Sequence, residues 1–177
     1  MKNENGFTLV ELMVTMTVAV ILLALAVPAF HDFVQANRIS AQANELVTAI
    51  NLARSEALKR TQTVTVCKSK NGTSCGDGSV SWVDGWIVFS DQDGDNTING
   101  NDQLLRVWDA MPAGSYMAAS PTPLQYSGIG LVNNSAQFVF TIPERTGDLA
   151  RCINITVTGH PSVTTEKDPS CTAPAIP

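Results

Sequence analysis

Histidine is scarce in this chain, and several common catalytic signatures are missing altogether. The sequence contains two histidines, His31 and His160. It has no Gly-x-Ser-x-Gly, no phosphate-binding glycine loop, no His-x-x-His and no redox Cys-x-x-Cys. Nucleophilic, metal-assisted and phosphate-transfer catalysis commonly rest on one of these arrangements. The sequence therefore predicts a protein that is not an enzyme and has no catalytic residue.

Basic residues are also in short supply. Lys and Arg together number 11 against 16 Asp and Glu, and the net charge is −5. A general nucleic-acid binder needs a basic surface to neutralise phosphates, so this balance argues against that class. It still leaves room for a local basic patch. With 44% hydrophobic residues, the 177 residues are enough for one domain with an appendage.

The longest apolar run stands near the start of the chain, and its arrangement differs from that of a secretory signal. Residues 7–26 are about long enough to cross the hydrocarbon core of a bilayer as a helix. A secretory signal carries its small-residue cleavage site after the apolar run, whereas here the small residue Gly6 precedes it. Cleavage after Gly6 would leave the apolar helix on the mature protein, with a new amine on Phe7.

One acid, Glu11, lies inside this apolar run, one helical turn after Phe7. A carboxylate in lipid is costly and usually has a partner. Glu11 could contact the Phe7 amine of its own chain or the same amine of a neighbouring subunit. A third interpretation is that Glu11 sits at the membrane edge and reaches water. The residue alone leaves the three open.

The helix is predicted to continue far beyond the apolar run. Pro28 lacks an N–H and is expected to kink or locally open the helix, but residues 31–60 contain neither proline nor glycine. We predict one helix over residues 7–60, hydrophobic in 7–30 and amphipathic in 31–60. In the second part, apolar residues recur at three- and four-residue steps, as in a helix that packs on a sheet: Phe33, Ile39, Ala43, Leu46, Val47, Ile50, Ala53, Ala57 and Leu58.

Residues 61–177 have the sequence pattern of a β-rich globular head. Short alternating runs separated by Gly, Pro, Asn and Asp clusters predict an antiparallel sheet or a pair of small sheets. The fold class is therefore α+β, with the long helix covering one face of the sheet and Trp82, Trp86 and Trp108 in the core between them. The predicted strands are residues 64–67, 85–89, 104–108, 137–140 and 152–157.

The four cysteines all lie in the head, which favours an oxidising compartment. Cys67 and Cys75 flank an Asn-Gly pair, a strong tight-turn signal, so a Cys67–Cys75 disulfide is the simplest pairing. Cys152 would then pair with Cys171 and tie the Pro-rich tail to the last strand. Four cysteines allow three pairings, and the other two remain open. A zinc site is disfavoured because the cysteine spacings do not match the usual ligand spacing.

The acidic loop, residues 91–102, has the spacing of a calcium loop. Asp91, Asp93 and Asp95 fall at positions 1, 3 and 5 of an EF-hand count, and Asp102 falls at position 12. Asn96 stands where the sharp turn usually has glycine, Asp102 replaces the usual glutamate, and strands rather than helices flank the loop. Calcium binding is one interpretation, and a solvated turn rich in Asp, Asn and Gly is the other.

The string "GFTLVELMV", residues 6–14, resembles the N-terminal signature of type IV pilins and pseudopilins. The resemblance implies that residues 1–6 are a leader that prepilin peptidase removes between Gly6 and Phe7, and that the Phe7 amine is then N-methylated. It also implies that Glu11 sets subunit register during assembly. Pro28 lies near the position where pilin helices carry a helix-loosening proline.

The head narrows the resemblance. "CKSKNGTSC", "WVDGWIVFSDQDGD" and "LLRVW" resemble the GspH/FimT-like minor pilins and pseudopilins. The resemblance implies a structural subunit without a cofactor, which primes or caps a type IV pilus or a type II secretion pseudopilus. Its partners would be other minor and major pilins or pseudopilins. Its location would be the bacterial inner membrane, as a single-pass protein with a periplasmic head, and then the filament.

Some members of this subgroup bind DNA during natural transformation through a C-terminal Gly-Arg-x-Arg turn. This chain has GHPS at the matching place, residues 159–162, and both arginines are absent. Arg145, Arg151, His160 and Lys167 are the nearby candidates for a basic DNA contact. Type IV minor pilin is the leading interpretation, with a type II secretion pseudopilin and a DNA-binding pilin as alternatives.

Overall fold

The computed structural model describes residues 8–120, 123–141, 150–165 and 171. The chain divides into two compact units between Asn37 and Arg38. One long helix, α1, spans Leu9–Arg60. The strands are β1 (Val64–Lys68), β2 (Trp86–Ser90), β3 (Gln103–Trp108), β4 (Tyr116–Ser120), β5 (Leu124–Tyr126), β6 (Ala136–Thr141), β7 (Arg151–Ile155) and β8 (Pro161–Thr165).

The predicted helix is confirmed from Leu9 to its C-terminus at Arg60, whereas Thr8 precedes the first helical residue. The helix is continuous through Pro28, so the loosening expected there does not interrupt it. Its C-terminus is closed by a Schellman-type turn, in which the Gln62 N–H donates to the Ala57 carbonyl over 3.3 Å. Thr61 takes the left-handed conformation that this turn requires, with φ +55°. Lys59 and Arg60 lie in the last turn, where positive charge is favoured by the helix dipole.

The described residues of the head form two four-stranded antiparallel sheets. Sheet 1 has the order β3-β2-β1-β5, and sheet 2 has the order β4-β6-β7-β8. The five predicted strands correspond to β1, β2, β3, β6 and β7, so the expectation of a pair of small antiparallel sheets is confirmed. Three strands, β4, β5 and β8, were not predicted.

The core of the head combines one face of α1 with residues of both sheets. Eight helix residues are buried, and four of them are alanines: Ile39, Gln42, Ala43, Leu46, Ala49, Ile50, Ala53 and Ala57. Trp82 and Trp86 belong to this core, and Trp108 packs against it. The predicted apolar face was wrong at two positions, because Phe33 is 64% exposed and Leu58 is 49% exposed.

Candidate functional site

The part of α1 that precedes the head, here called the apolar segment (residues 9–37), exposes apolar side chains on every side. Its large apolar residues between Leu9 and Val34 are between 47% and 71% exposed. An 18-residue window of the helix has a mean hydropathy of 2.5, and none of it is buried. A helix that is apolar all round belongs in a membrane or in the core of an assembly, and this one is long and apolar enough to cross a membrane.

The hydroxyls of the apolar segment are satisfied within the helix. The Thr15 hydroxyl donates to the Leu12 carbonyl over 2.9 Å, and the Thr17 hydroxyl donates to the Met13 carbonyl over 2.8 Å. These bonds satisfy two hydroxyl groups that would be costly to bury unpaired in an apolar medium. The one ionisable side chain between residues 8 and 30 is that of Glu11.

The start of the helix explains a second role of Glu11. The Glu11 N–H donates to the Thr8 hydroxyl oxygen over 3.2 Å, and the Leu12 N–H donates to the Thr8 carbonyl over 3.1 Å. Thr8 is thus the N-cap and Glu11 is the third helical residue, where a carboxylate is favoured by the helix dipole. This cap was not predicted, although "TLVE" is the Thr-x-x-Glu pattern of a capping box. Gly6 and Phe7, the predicted processing site, lie outside the described residues.

The charged end of α1 forms a local network on the head. Arg60 donates to Glu56 over 2.7 Å, Lys59 lies 3.4 Å from the same carboxylate, and Arg60 also donates to Gln103 on β3 over 2.9 Å. The hydrogen bond from Arg60 lowers the pKa of Glu56. These contacts satisfy the charges of the helix end within the head itself.

Two disulfides fasten the loops of the head, in the pairing that the sequence favours. Cys67 is bonded to Cys75 and Cys152 to Cys171, each with a Cα–Cα distance of 5.5 Å. Inside the first bridge, Gly72 has φ +71°, as the Asn-Gly turn requires. The second bridge anchors Cys171 to β7, while the rest of the Pro-rich tail lies outside the described residues.

The acidic loop brings its four predicted ligands together. One carboxylate oxygen each from Asp91, Asp93, Asp95 and Asp102 lies within 4.8 Å of the others. Asn96 has φ +65°, so it takes the left-handed conformation expected of the glycine position. Hydrogen bonds from the Thr97 hydroxyl and N–H lower the pKa of Asp95.

An acidic turn outside this loop has similar local geometry. Asp77 accepts hydrogen bonds from the Ser79 N–H and hydroxyl, as Asp95 does from Thr97, and these bonds lower the pKa of Asp77 as well. Asp77 is not among the four clustered carboxylates. It therefore provides a matched reference for the acidic loop.

The candidate DNA residues are only partly within the described structure. Arg151 is half-buried on β7, and its guanidinium donates to the Ala150 carbonyl over 3.1 Å. His160 Nδ1 lies 3.0 Å from an Arg54 guanidinium nitrogen. Arg145 and Lys167 lie outside the described residues. The described part of the patch is therefore engaged in contacts within the head.

Comparisons with known proteins agree with this architecture. The family model described as type II transport protein GspH matches residues 42–159, well over half of the chain. The model of the prokaryotic N-terminal methylation motif matches residues 1–27. No curated protein sequence matches the chain.

Two solved structures share the fold. The type IV minor pilin FimU of Pseudomonas aeruginosa is 20% identical, covers 80% of this chain and 96% of its own, and has a TM-score of 0.58. The minor pseudopilin EpsH from the type 2 secretion system of Vibrio cholerae is 10% identical, covers 74% of this chain and 99% of its own, and has a TM-score of 0.53. At these identities the likeness shows the fold, a long N-terminal helix with a β-rich head.

Proposed function

This chain belongs to the family of the type II transport protein GspH, and from that membership we propose that it is a structural minor pilin of a type IV pilus. It carries no catalytic role. Prepilin peptidase removes residues 1–6, the Phe7 amine is methylated, and the apolar segment holds the subunit in the inner membrane with the head in the periplasm. Assembly then moves this segment from the membrane into a filament, where the head contacts other pilins.

The observation that carries the proposal is the apolar segment itself. Its large apolar side chains are exposed, and Glu11 is the one carboxylate between residues 8 and 30. Apolar surface exposed to this extent is stabilised by contact with lipid or with other subunits. The match of residues 1–27 to the N-terminal methylation motif supports cleavage after Gly6 rather than after the apolar run.

Glu11 supplies a physical reason for the transfer from membrane to filament. A carboxylate is poorly solvated near the hydrocarbon region and gains from a nearby cation. In a filament of like subunits, the methylated amine of Phe7 from a neighbour is such a cation. Pairing the two would favour assembly and fix the axial register of one subunit against the next.

A type II secretion pseudopilin is the second candidate, and one observation favours it. The family model that matches the head is described as a type II transport protein. A pseudopilus would use the same helix, the same Glu11 pairing and the same processing. The two candidates differ in the machine that the subunit serves.

Deletion of the gene separates the two candidates. We expect loss of surface pili with normal protein secretion, because a priming subunit is required to start its own filament. Loss of secretion with normal piliation would instead identify the pseudopilin. DNA uptake is scored in the same strain, and a specific loss of uptake with normal pili and secretion would favour the DNA-binding alternative.

Complementation with variants tests the role of Glu11. Glu11→Ala should be processed normally and stay in the membrane, but its amount in sheared filaments should fall at least tenfold. Thr15→Val is the matched control, since the Thr15 hydroxyl is satisfied within the helix, and it should assemble normally. Normal incorporation of Glu11→Ala would show that the carboxylate does not drive assembly.

A further inference from the structure

Asp91 in the acidic loop is a buried carboxylate without a cationic partner. It directly follows β2 and is 0% exposed. Its Oδ2 atom accepts hydrogen bonds from the Thr65 hydroxyl at 2.7 Å, the Asn96 N–H at 3.2 Å and the Gln125 amide at 3.4 Å. Among the residues that the structure describes, no basic side chain forms an ion pair with it.

The other oxygen of Asp91 is the more informative one. Asp91 Oδ1 is buried and has no hydrogen-bond partner. An ionised carboxylate removed from water is strongly destabilising unless it is paired or coordinates a metal. Asn96 Oδ1, in the same loop, is also buried without a partner. The loop therefore holds oxygen lone pairs that the head leaves unsatisfied.

The surrounding carboxylates have the spacing of a coordination shell. Calcium binds oxygens at about 2.3–2.6 Å, so two oxygens on one ion are at most about 5 Å apart. One carboxylate oxygen from each of Asp91, Asp93, Asp95 and Asp102 falls within 4.8 Å of the other three. Four clustered negative charges also repel one another, and a divalent cation between them would remove that repulsion.

The donor set selects the kind of cation. All four side chains offer oxygen, which suits calcium and magnesium rather than zinc. Magnesium requires a compact octahedron and keeps much of its water, whereas calcium accepts several carboxylates from a curved loop. The left-handed residues Gly94 and Asn96, with φ +75° and +65°, provide that curvature.

We propose that the acidic loop binds one calcium ion through Asp91, Asp93, Asp95 and Asp102. Asp95 Oδ1 accepts two hydrogen bonds from Thr97, but Asp95 Oδ2 and both oxygens of Asp102 each accept one, which leaves a lone pair on each of these three atoms for the ion. Binding would stabilise the β2–β3 connection and, through Thr65 and Gln125, its contacts with β1 and β5. The proposal goes beyond the subunit assignment, and its failure would leave that assignment unchanged.

The test uses the full mature chain, purified from membranes in mild detergent and stripped of divalent ions with EDTA. Titration with CaCl₂ in a calorimeter should give one site with a Kd of about 10⁻⁴–10⁻³ M, as in extracellular calcium modules. At calcium about tenfold above Kd, the melting temperature of the head should rise by about 3–6 °C. The same concentration of MgCl₂ should raise it much less.

Matched variants locate the site. Asp95→Asn should weaken calcium binding at least tenfold and abolish the rise in melting temperature. Because Asp95 is exposed, the substitution should leave the folding of the head intact. Asp77→Asn changes the corresponding turn outside the loop and should bind calcium like the wild type. Absence of binding heat together with an unchanged melting temperature would overturn the proposal. So would an equal response to magnesium, or an equal loss in both variants.

Discussion

The two parts of α1 contain the same kinds of apolar residue, but these residues are exposed in the apolar segment and buried in the head. Leu22 and Leu23 in the apolar segment are both 61% exposed, whereas Leu46 and Ile50 in the part that enters the head are fully buried. The buried leucine stabilises the chain's own fold. The exposed leucines add nothing to that fold, so their apolar surface is available to lipid or to other subunits.

The largest expected effect comes from truncating one leucine in each part of α1. Leu46→Ala removes a fully buried side chain and should lower the free energy of unfolding of the head by about 2–5 kcal/mol. Leu22→Ala should change it by less than about 0.5 kcal/mol, as for an exposed position. Urea unfolding of both full chains in detergent, followed by tryptophan fluorescence, measures the difference. Similar losses in the two variants would mean that the apolar segment is part of the head's fold.

Tyr126 provides an intermediate effect confined to the head. Its buried hydroxyl donates to the Gly159 carbonyl over 3.0 Å. Tyr126→Phe leaves that buried carbonyl without its partner, which should cost about 1–3 kcal/mol in unfolding experiments at neutral pH. Processing and membrane retention should be unchanged, because the apolar segment is untouched. A variant as stable as the wild type would show that the hydrogen bond contributes no net stability.

The same tyrosine predicts a pH effect with a definite sign. Burial raises the pKa of Tyr126 above its ordinary value. In the unfolded chain the phenol loses its proton near pH 10, whereas in the folded head the phenol stays protonated at that pH. The stabilisation by Tyr126 is therefore complete below about pH 10 and is lost as the pH rises further. The gap in stability between the wild type and Tyr126→Phe should narrow above about pH 10, and a constant gap would contradict this.

The smallest effect is expected at the charged end of α1. Glu56→Gln removes the carboxylate that pairs with Arg60 and Lys59, and pairs of this kind on a helix contribute about 0.3–0.5 kcal/mol. Because these bonds lower the pKa of Glu56, the contribution is present above about pH 4.3 and fades as the pH falls. Thermal unfolding at pH 7 and pH 3 should show a small gap only at pH 7. A large gap would give this pair a structural role in the head.

The sequence predicted the helix better than the sheets, for a physical reason. An unbroken run without proline or glycine determines a long helix locally, and α1 extends to Arg60 as expected. The periodic pattern did not reveal which apolar positions the sheets would cover, so Phe33 and Leu58 were wrongly assigned to the buried face. That outcome depends on where the strands lie in space.

The missed strands depend on their neighbours in the sheets. Strand β5 has only three residues and is held by its pairing with β1, and β8 begins with Pro161 and is largely exposed. Neither has a strong pattern of its own. In the acidic loop, the spacing located the four carboxylates, but it did not indicate that Asp91 would be fully buried with an unpartnered oxygen. The environment of Asp91 depends on residues distant in the sequence, because Thr65 on β1 and Gln125 on β5 both donate hydrogen bonds to its carboxylate.

The mature N-terminus tests most directly whether the apolar segment is an assembly helix. Intact-mass measurement and N-terminal sequencing of the protein from cell membranes should find a chain that starts at Phe7 and carries one methyl group on its amine. That result would place the whole apolar segment, with Glu11, on the working subunit. A chain that begins beyond the apolar run, after Ala26, would contradict it, because the run would then be a signal peptide that is discarded.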